Sequence, residues 1–202
     1  MLQGRHLRLE PLLRAHVPAL AAAAASGPRD SYAFTWVPAS DAEAVTYIEE
    51  ALKLHAAGKA LPFATIDAAT GRVVGSTRYL NVEFWAWPAG NPLQRGEELP
   101  DVVEIGATWL ASAAQRTPIN TEAKLLMLTH AFEVWRVHRV SLMTDARNVR
   151  SRNAILRLGA KFDGILRASR VAVDGVIRDT AAFSIVEAEW PEVKAGLQAK
   201  LR

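Results

Sequence analysis

The 202-residue chain contains no cysteine. Disulfide staples and thiolate metal sites are therefore excluded, and a reducing compartment suits the chain. Net charge is also scarce. The formal value is only +3, and the excess is mostly arginine between Arg136 and Arg178. A nucleic-acid binder shows a denser basic stripe, so nucleic acid is not the expected partner. Long apolar runs are missing as well. The longest small-apolar run, Ala19 to Ala25, falls far short of a bilayer span. Met1 to Pro11 carries Arg5, His6, Arg8 and Glu10, unlike the unbroken apolar stretch of a secretory leader. A soluble, cytoplasmic protein without membrane contact is expected. His6, His16, His55, His130 and His138 show no paired metal-binding spacing, so no metal is expected. No G-x-S-x-G stretch supports a hydrolase elbow. What is present is apolar: hydrophobic residues make up 50% of the chain. That is enough for a full core, and a single domain over residues 1–202 is expected.

Periodicity sets the element order. His6 to Leu9 alternates as a short strand. Alanine-rich Arg14 to Ala25 favours a helix that Gly27-Pro28 stops. Asp41 to Ala57 is a second helix, capped by Ser40 or Asp41, with Val45, Ile48, Leu52 and His55 at helical spacing. Leu61 to Ile66 and Arg72 to Val82 pair across the Asp67 to Gly71 turn. Phe84 to Asp101 holds three prolines and two glycines and has no period, so it is a long loop. Its Phe84, Trp85 and Trp87 either fold back on the sheet or form a partner surface, which would allow a homodimer. Val102 to Leu110 is a strand, Asn120 to Trp135 the strongest helix, and Arg139 to Thr144 another strand. Val149 to Leu158 is a helix closed by Gly159. Two strands around an Asp174-Gly175 turn and a helix from Trp190-Pro191 complete an α+β domain.

Three stretches carry candidate chemistry. Val103-Glu104-Ile105-Gly106-Ala107-Thr108-Trp109-Leu110 has a glycine inside a strand, which marks a bulge, a close approach or simple relief of crowding. Gln115-Arg116-Thr117-Pro118-Ile119-Asn120-Thr121 opens a helix whose first amides and dipole suit a phosphate. Pro118 removes one of those amides, Asn120 is a candidate cap, and Arg116 and Lys124 are candidate phosphate charges. In Asn148-Val149-Arg150-Ser151, Asn148 suits a helix cap with Ser151 at the third helical position.

Together these stretches resemble the GNAT acyltransferase superfamily, and the third resembles its branch that acetylates ribosomal-protein N-termini. The resemblance spans nearly the whole chain. It implies a central mixed, mostly antiparallel twisted sheet flanked by helices. It implies acetyl-CoA as co-substrate and an acceptor that is a peptide N-terminus or a small amine. Cofactor contacts would fall on Ala107, Thr108, Trp109, Gln115, Arg116, Thr117, Ile119, Asn120, Thr121, Asn148 and Ser151. Glu104 would be the base and Ser151 the donor to the leaving thiolate. Phe34 and Trp36, with Glu104, would line the substrate cleft. The sequence departs from the family at Pro118 and Asn120, where glycines are usual. It also has no tyrosine after Tyr79 to protonate the thiolate. A small-molecule acceptor, with Glu43, Glu49 and Glu50 lining a polyamine cleft, and a non-catalytic acyl-CoA-binding module are the alternatives.

Overall fold

The computed structural model describes all 202 residues. Its strands are β1 (Leu2–Gln3), β2 (Leu7–Pro11), β3 (Ala60–Asp67), β4 (Val73–Glu83), β5 (Val102–Leu110), β6 (Arg139–Asp145), β7 (Lys161–Val171) and β8 (Ile177–Val186). They form one sheet in the order β1-β2-β3-β4-β5-β6-β8-β7. Only β5 and β6 run parallel. Their connection holds a helix, as a parallel crossover requires.

The helices are α1 (Val17–Ala25), α2 (Asp41–Ala56), α3 (Pro118–Thr129), α4 (Val149–Leu158) and α5 (Trp190–Ala199). Helices α3, α4 and α5 cover one face over a core of 26 residues that includes Tyr79, Val103, Ile105, Leu128, Leu142 and Phe183. Helices α1 and α2 cover β3 and β4 on the other face, over a separate 13-residue core. Strand alternation explains the division. Residues 103 and 105 point to the α3 face, so Glu104 and Gly106 point to the α2 face.

Local signals set most boundaries. The Ser40 hydroxyl accepts from Glu43 N–H and starts α2. Gly159 closes α4 at φ 100°, where glycine carries no Cβ penalty. Three expectations are corrected. The inward stripe of α2 is Ala44, Tyr47, Ile48 and Ala51, whereas Val45 is exposed and His55 faces out. Small alanines bring α2 close to the sheet and leave the larger Val45 outside. Second, α3 starts at Pro118, not Asn120. The Thr117 hydroxyl is its cap, accepting from Ile119 N–H at 3.4 Å, and a proline at the first position lacks only an amide that no helical carbonyl would have met. Third, α3 does not run unbroken to Trp135, because a π-helical turn covers His130–Val134.

The loop after β4 folds back. The buried Asp101 carboxylate accepts from Trp85 N–H at 2.7 Å and Trp87 Nε1 at 2.8 Å. The Trp85 ring stacks on His138 at 5.7 Å. Of the three loop aromatics, Phe84 is the one left without such an anchor and it stays exposed.

Candidate active site

Strands β5 and β6 pair only over Val102–Glu104 and Arg139–Ser141. Beyond that, β5 follows β4 to Leu110 while β6 follows β8 to Asp145. The two strands therefore part after Glu104, and from Ile105 onward the edge of β5 facing β6 has no strand partner. A bulge produces the divergence. Arg78 pairs with Gly106 and Ser76 with Trp109, so Ala107 and Thr108 together oppose Thr77. Ala107 sits at φ 46°, a left-handed conformation that costs a non-glycine residue about 1 kcal/mol or more. The extra residue bends β5 away from β6. Ala107 is exposed in the opening, and Thr108 is partly so. The side chain of Trp109 instead packs between Tyr32 and Tyr47, leaving only its backbone at the edge.

Glu104 stands where the strands separate and is 6% exposed. Its Oε2 accepts from Asn81 Nδ2 at 2.7 Å. Burial holds its carboxyl above the usual carboxylate range, against the lowering effects of the Asn81 hydrogen bond and of Arg170 and Arg178. Gly106 makes room for it, since a Cβ there would lie 2.9 Å from Glu104 Oε1. A cavity of about 120 Å³ opens beside the carboxylate, lined also by Asn81, Arg139, Ser141 and Met143.

The start of α3 lies at the far end of the opening. Arg116, at φ 61°, turns the chain, and neither its N–H nor that of Thr117 meets a backbone acceptor. Together with the exposed Arg116 side chain, these amides suit a phosphate. Asn120 and Thr121 lie half-exposed on the first turn, whereas the Ile119 side chain is buried. Gln115 is committed elsewhere: its Nε2 donates to Leu110 O at 2.9 Å and ties the end of β5. A second cavity, of about 380 Å³, flanks this helix start and not the carboxylate.

Lys124 does not serve the helix start as expected. It is 5% exposed on the inward face of α3, and its Nζ donates to Thr108 Oγ1 at 2.7 Å and Thr77 Oγ1 at 3.1 Å. Burial pushes its amine down to about 7. Residue 124 falls on the buried stripe of α3 with Ala123, Met127 and Leu128, which holds its amine over β4 and β5 and away from the helix start.

Helix α4 begins beyond the end of β6. Asn148 caps it, its Oδ1 accepting from Ser151 N–H at 3.0 Å. Arg147 pairs with Asp145 and Asp174 and lies 5.1 Å over the Phe34 ring. Arg150 donates to Ser31 O. The segment between α1 and α2 is thus drawn across the opening. In that segment Trp36 stacks on Tyr47 at 5.4 Å and is 40% exposed. Glu104 stands where the strands part, and Ser151 stands in the first turn of α4, beyond the end of β6. Ser141, level with Glu104, lies four residues before Asp145, about 13 Å along the strand.

Of the acidic residues suggested for a polyamine cleft, Glu43 accepts from Ala39 N–H and Glu49 pairs with Arg14 in solvent. Glu50 is exposed on the same helix. Four relevant residues escaped the sequence reading: Asn81, Tyr47, Arg78 and Arg178. Only Arg78, a lone cation inside an otherwise uncharged strand stretch, carried a visible signal.

A family model for the acetyltransferase (GNAT) domain matches residues 6–161. Among solved structures, the chain is similar to a GCN5-related N-acetyltransferase from Brucella melitensis. The TM-score is 0.82 and the identity 32%, over 100% of this chain and 85% of that one. Mycobacterium smegmatis RimJ, solved with CoA-disulfide, gives 0.76 at 22% identity, over 97% and 90%. A ribosomal-protein-S5-alanine acetyltransferase from Vibrio fischeri gives 0.69 at 16%, over 93% and 97%. The last two likenesses speak for the fold alone. No curated protein matches the sequence.

Proposed function

Since this chain belongs to the GNAT acetyltransferase family, we propose that it acetylates protein N-terminal α-amines of the ribosomal-protein type. Acetyl-CoA is the co-substrate that the family uses. The carrying observation is a single buried carboxylate, Glu104, at the point where two parallel strands part.

The residues present fit the co-substrate. The unpaired edge of β5 over Ala107, Thr108 and Trp109 offers backbone amides along the opening. The free N–H groups of Arg116 and Thr117, with Asn120 and Thr121 on the first turn, suit its phosphates. Pro118 contributes no amide, so Arg116 carries more of the charge. Asn148 and Ser151 stand at the opposite lip. Acetyl-CoA supplies an activated thioester carbonyl, and the edge amides are placed to stabilise the charge that develops on its oxygen.

The protein must also remove a proton from the acceptor ammonium. Glu104 is placed for that, directly or through one water. Its raised proton affinity brings it nearer the working pH than a solvated carboxylate. Asn81 holds it in one orientation. Ser151, whose N–H is bound by Asn148, leaves its hydroxyl free to donate to the departing sulfur. No covalent enzyme intermediate is required, in keeping with a chain that has no cysteine. The resemblance of the Asn148 to Ser151 stretch to the N-terminal branch supports the choice of an N-terminal acceptor.

Titration of acetyl-CoA by calorimetry, with desulfo-CoA and free phosphate as controls, tests the premise. Micromolar binding is expected, and none near millimolar overturns it. Turnover of an N-terminal peptide above that of spermidine is expected next. The reverse preference overturns the acceptor assignment.

A further inference from the structure

Arg78 is 7% exposed and sits on β4 directly opposite Gly106, on the same sheet face as Glu104. Its guanidinium lies 4.8 Å from the Tyr47 ring centre, and no carboxylate lies within ion-pair reach of it. Its Nε has no hydrogen-bond partner, nor has the Tyr47 hydroxyl, nor Trp109 Nε1. Trp109 packs edge-on against the same Tyr47 ring, at 6.5 Å. Three orphaned polar groups thus surround one aromatic ring, one of them a cation. Water can answer a hydroxyl or an indole, but a buried charge without a counter-charge is costly. A guanidinium presents a fork of donors that matches a carboxylate.

We propose that Arg78 and Tyr47 form the binding site for a carboxylate carried by the acceptor amine, whose amino group lies at Glu104. The assignment rests on the acetyltransferase reading and narrows its acceptor to amines that bear an anionic group close by. The spacing agrees. Gly106 and Glu104 are two residues apart on β5, so amine and carboxylate sites lie about 7 Å apart along one strand face. Trp36, stacked on Tyr47, borders the same place from the solvent side.

The carboxylate has two possible sources, a free amino acid or an acidic side chain near a peptide N-terminus. One arm of the test compares L-serine and L-glutamate with their carboxamides. The other compares pentapeptides with Asp or Glu at the second position against Asn or Gln. Binding is read from the tryptophan fluorescence of Trp36 and Trp109, and turnover from thiol release. The carboxylate member of at least one arm should bind 10- to 100-fold more tightly than its neutral twin. Arg78→Gln should erase that ratio while leaving the neutral twin within about threefold. Arg78→Lys, which keeps the charge, should retain part of it. Tyr47→Phe should reduce it, and a thermal melt of each variant guards against misfolding. Equal binding of both twins by the wild-type protein overturns the proposal, as does an Arg78→Gln variant that keeps the preference. Discrimination without acetyl transfer would sink the enzymatic reading and leave this site standing. Transfer without discrimination would do the opposite.

Discussion

The two faces of the central sheet bury similar polar groups and treat them differently. On the α3 face, each has partners. Glu122 accepts from the backbone N–H groups of Arg5, His6 and Leu7 at 2.6 to 3.0 Å. Lys124 donates to two threonine hydroxyls. The Tyr79 hydroxyl donates to Met127 O at 2.6 Å. On the α2 face, Glu104 has one side-chain donor, and Arg78, Tyr47 and Trp109 have orphaned atoms. Burial alone therefore does not separate scaffold from site. The number of partners does, because a fold that can satisfy a buried group leaves it unsatisfied only at a cost. The α3 face meets these buried groups from within the fold, and the α2 face leaves three polar atoms unmet.

The comparison breaks most sharply at the two buried glutamates. Glu104→Gln should lower kcat/KM by about 10² to 10⁴, the usual contribution of a positioned base. Its melting temperature should hardly move. In the wild type, activity should fall as pH drops through a value above that of an ordinary carboxylate, because burial raises Glu104. The variant should lose that acid limb. A Glu104→Gln enzyme with an unchanged rate and an unchanged pH profile would remove Glu104 from the chemistry. Glu122→Ala should do the reverse. It strips three backbone donors of their acceptor and should cost about 3 kcal/mol of stability in denaturant unfolding. The turnover of the folded fraction should stay near that of the wild type. The neighbouring Gly4 shows how closely the N-terminal segment is held, since a Cβ there would lie 2.4 Å from the Glu122 carboxyl carbon.

How far each face was legible follows from the range of the interactions that build it. The order of the main elements, the Ser40 and Asn148 caps and the Gly159 stop depend on residues within one turn and stand as expected, while the two-residue β1 was not anticipated. The glycine in β5 marked a bulge, and the structure puts the strained residue one position later, at Ala107. Glu104 was visible as the acid on that strand. The role of Arg78 was not, although a lone cation marked the strand, because that role depends on α2 arriving over β4 from some thirty residues away. Its partner Tyr47 belongs to a stripe set by small alanines that a hydrophobicity pattern ranks low. Lys124 failed for a different reason. A lysine near a helix start reads as a phosphate contact, yet residue 124 shares the buried stripe of α3 with Ala123, Met127 and Leu128. Long-range cover and helix phase are the two quantities that local patterns do not fix.

Lys124 gives the smallest and most specific test of the contrast. Threonine hydroxyls satisfy its hydrogen bonds but bring no counter-charge. Its amine titrates at about 7 when folded and near 10.4 in an unfolded chain. Between those values the unfolded state binds the extra proton, so raising pH favours the folded state. Below pH 7 the amine is charged in both states and the burial penalty is complete. The penalty fades only as pH rises towards the unfolded value. From pH 7 to pH 9 the wild type should therefore gain about 2 kcal/mol relative to Lys124→Met, measured by denaturant unfolding at each pH. Met fills a similar volume without a charge, so the variant should lack this slope while losing the tie to Thr108. Parallel stability curves would mean that the amine reaches solvent when protonated. The α3 face would then be less well sealed than its satisfied glutamate and tyrosine imply.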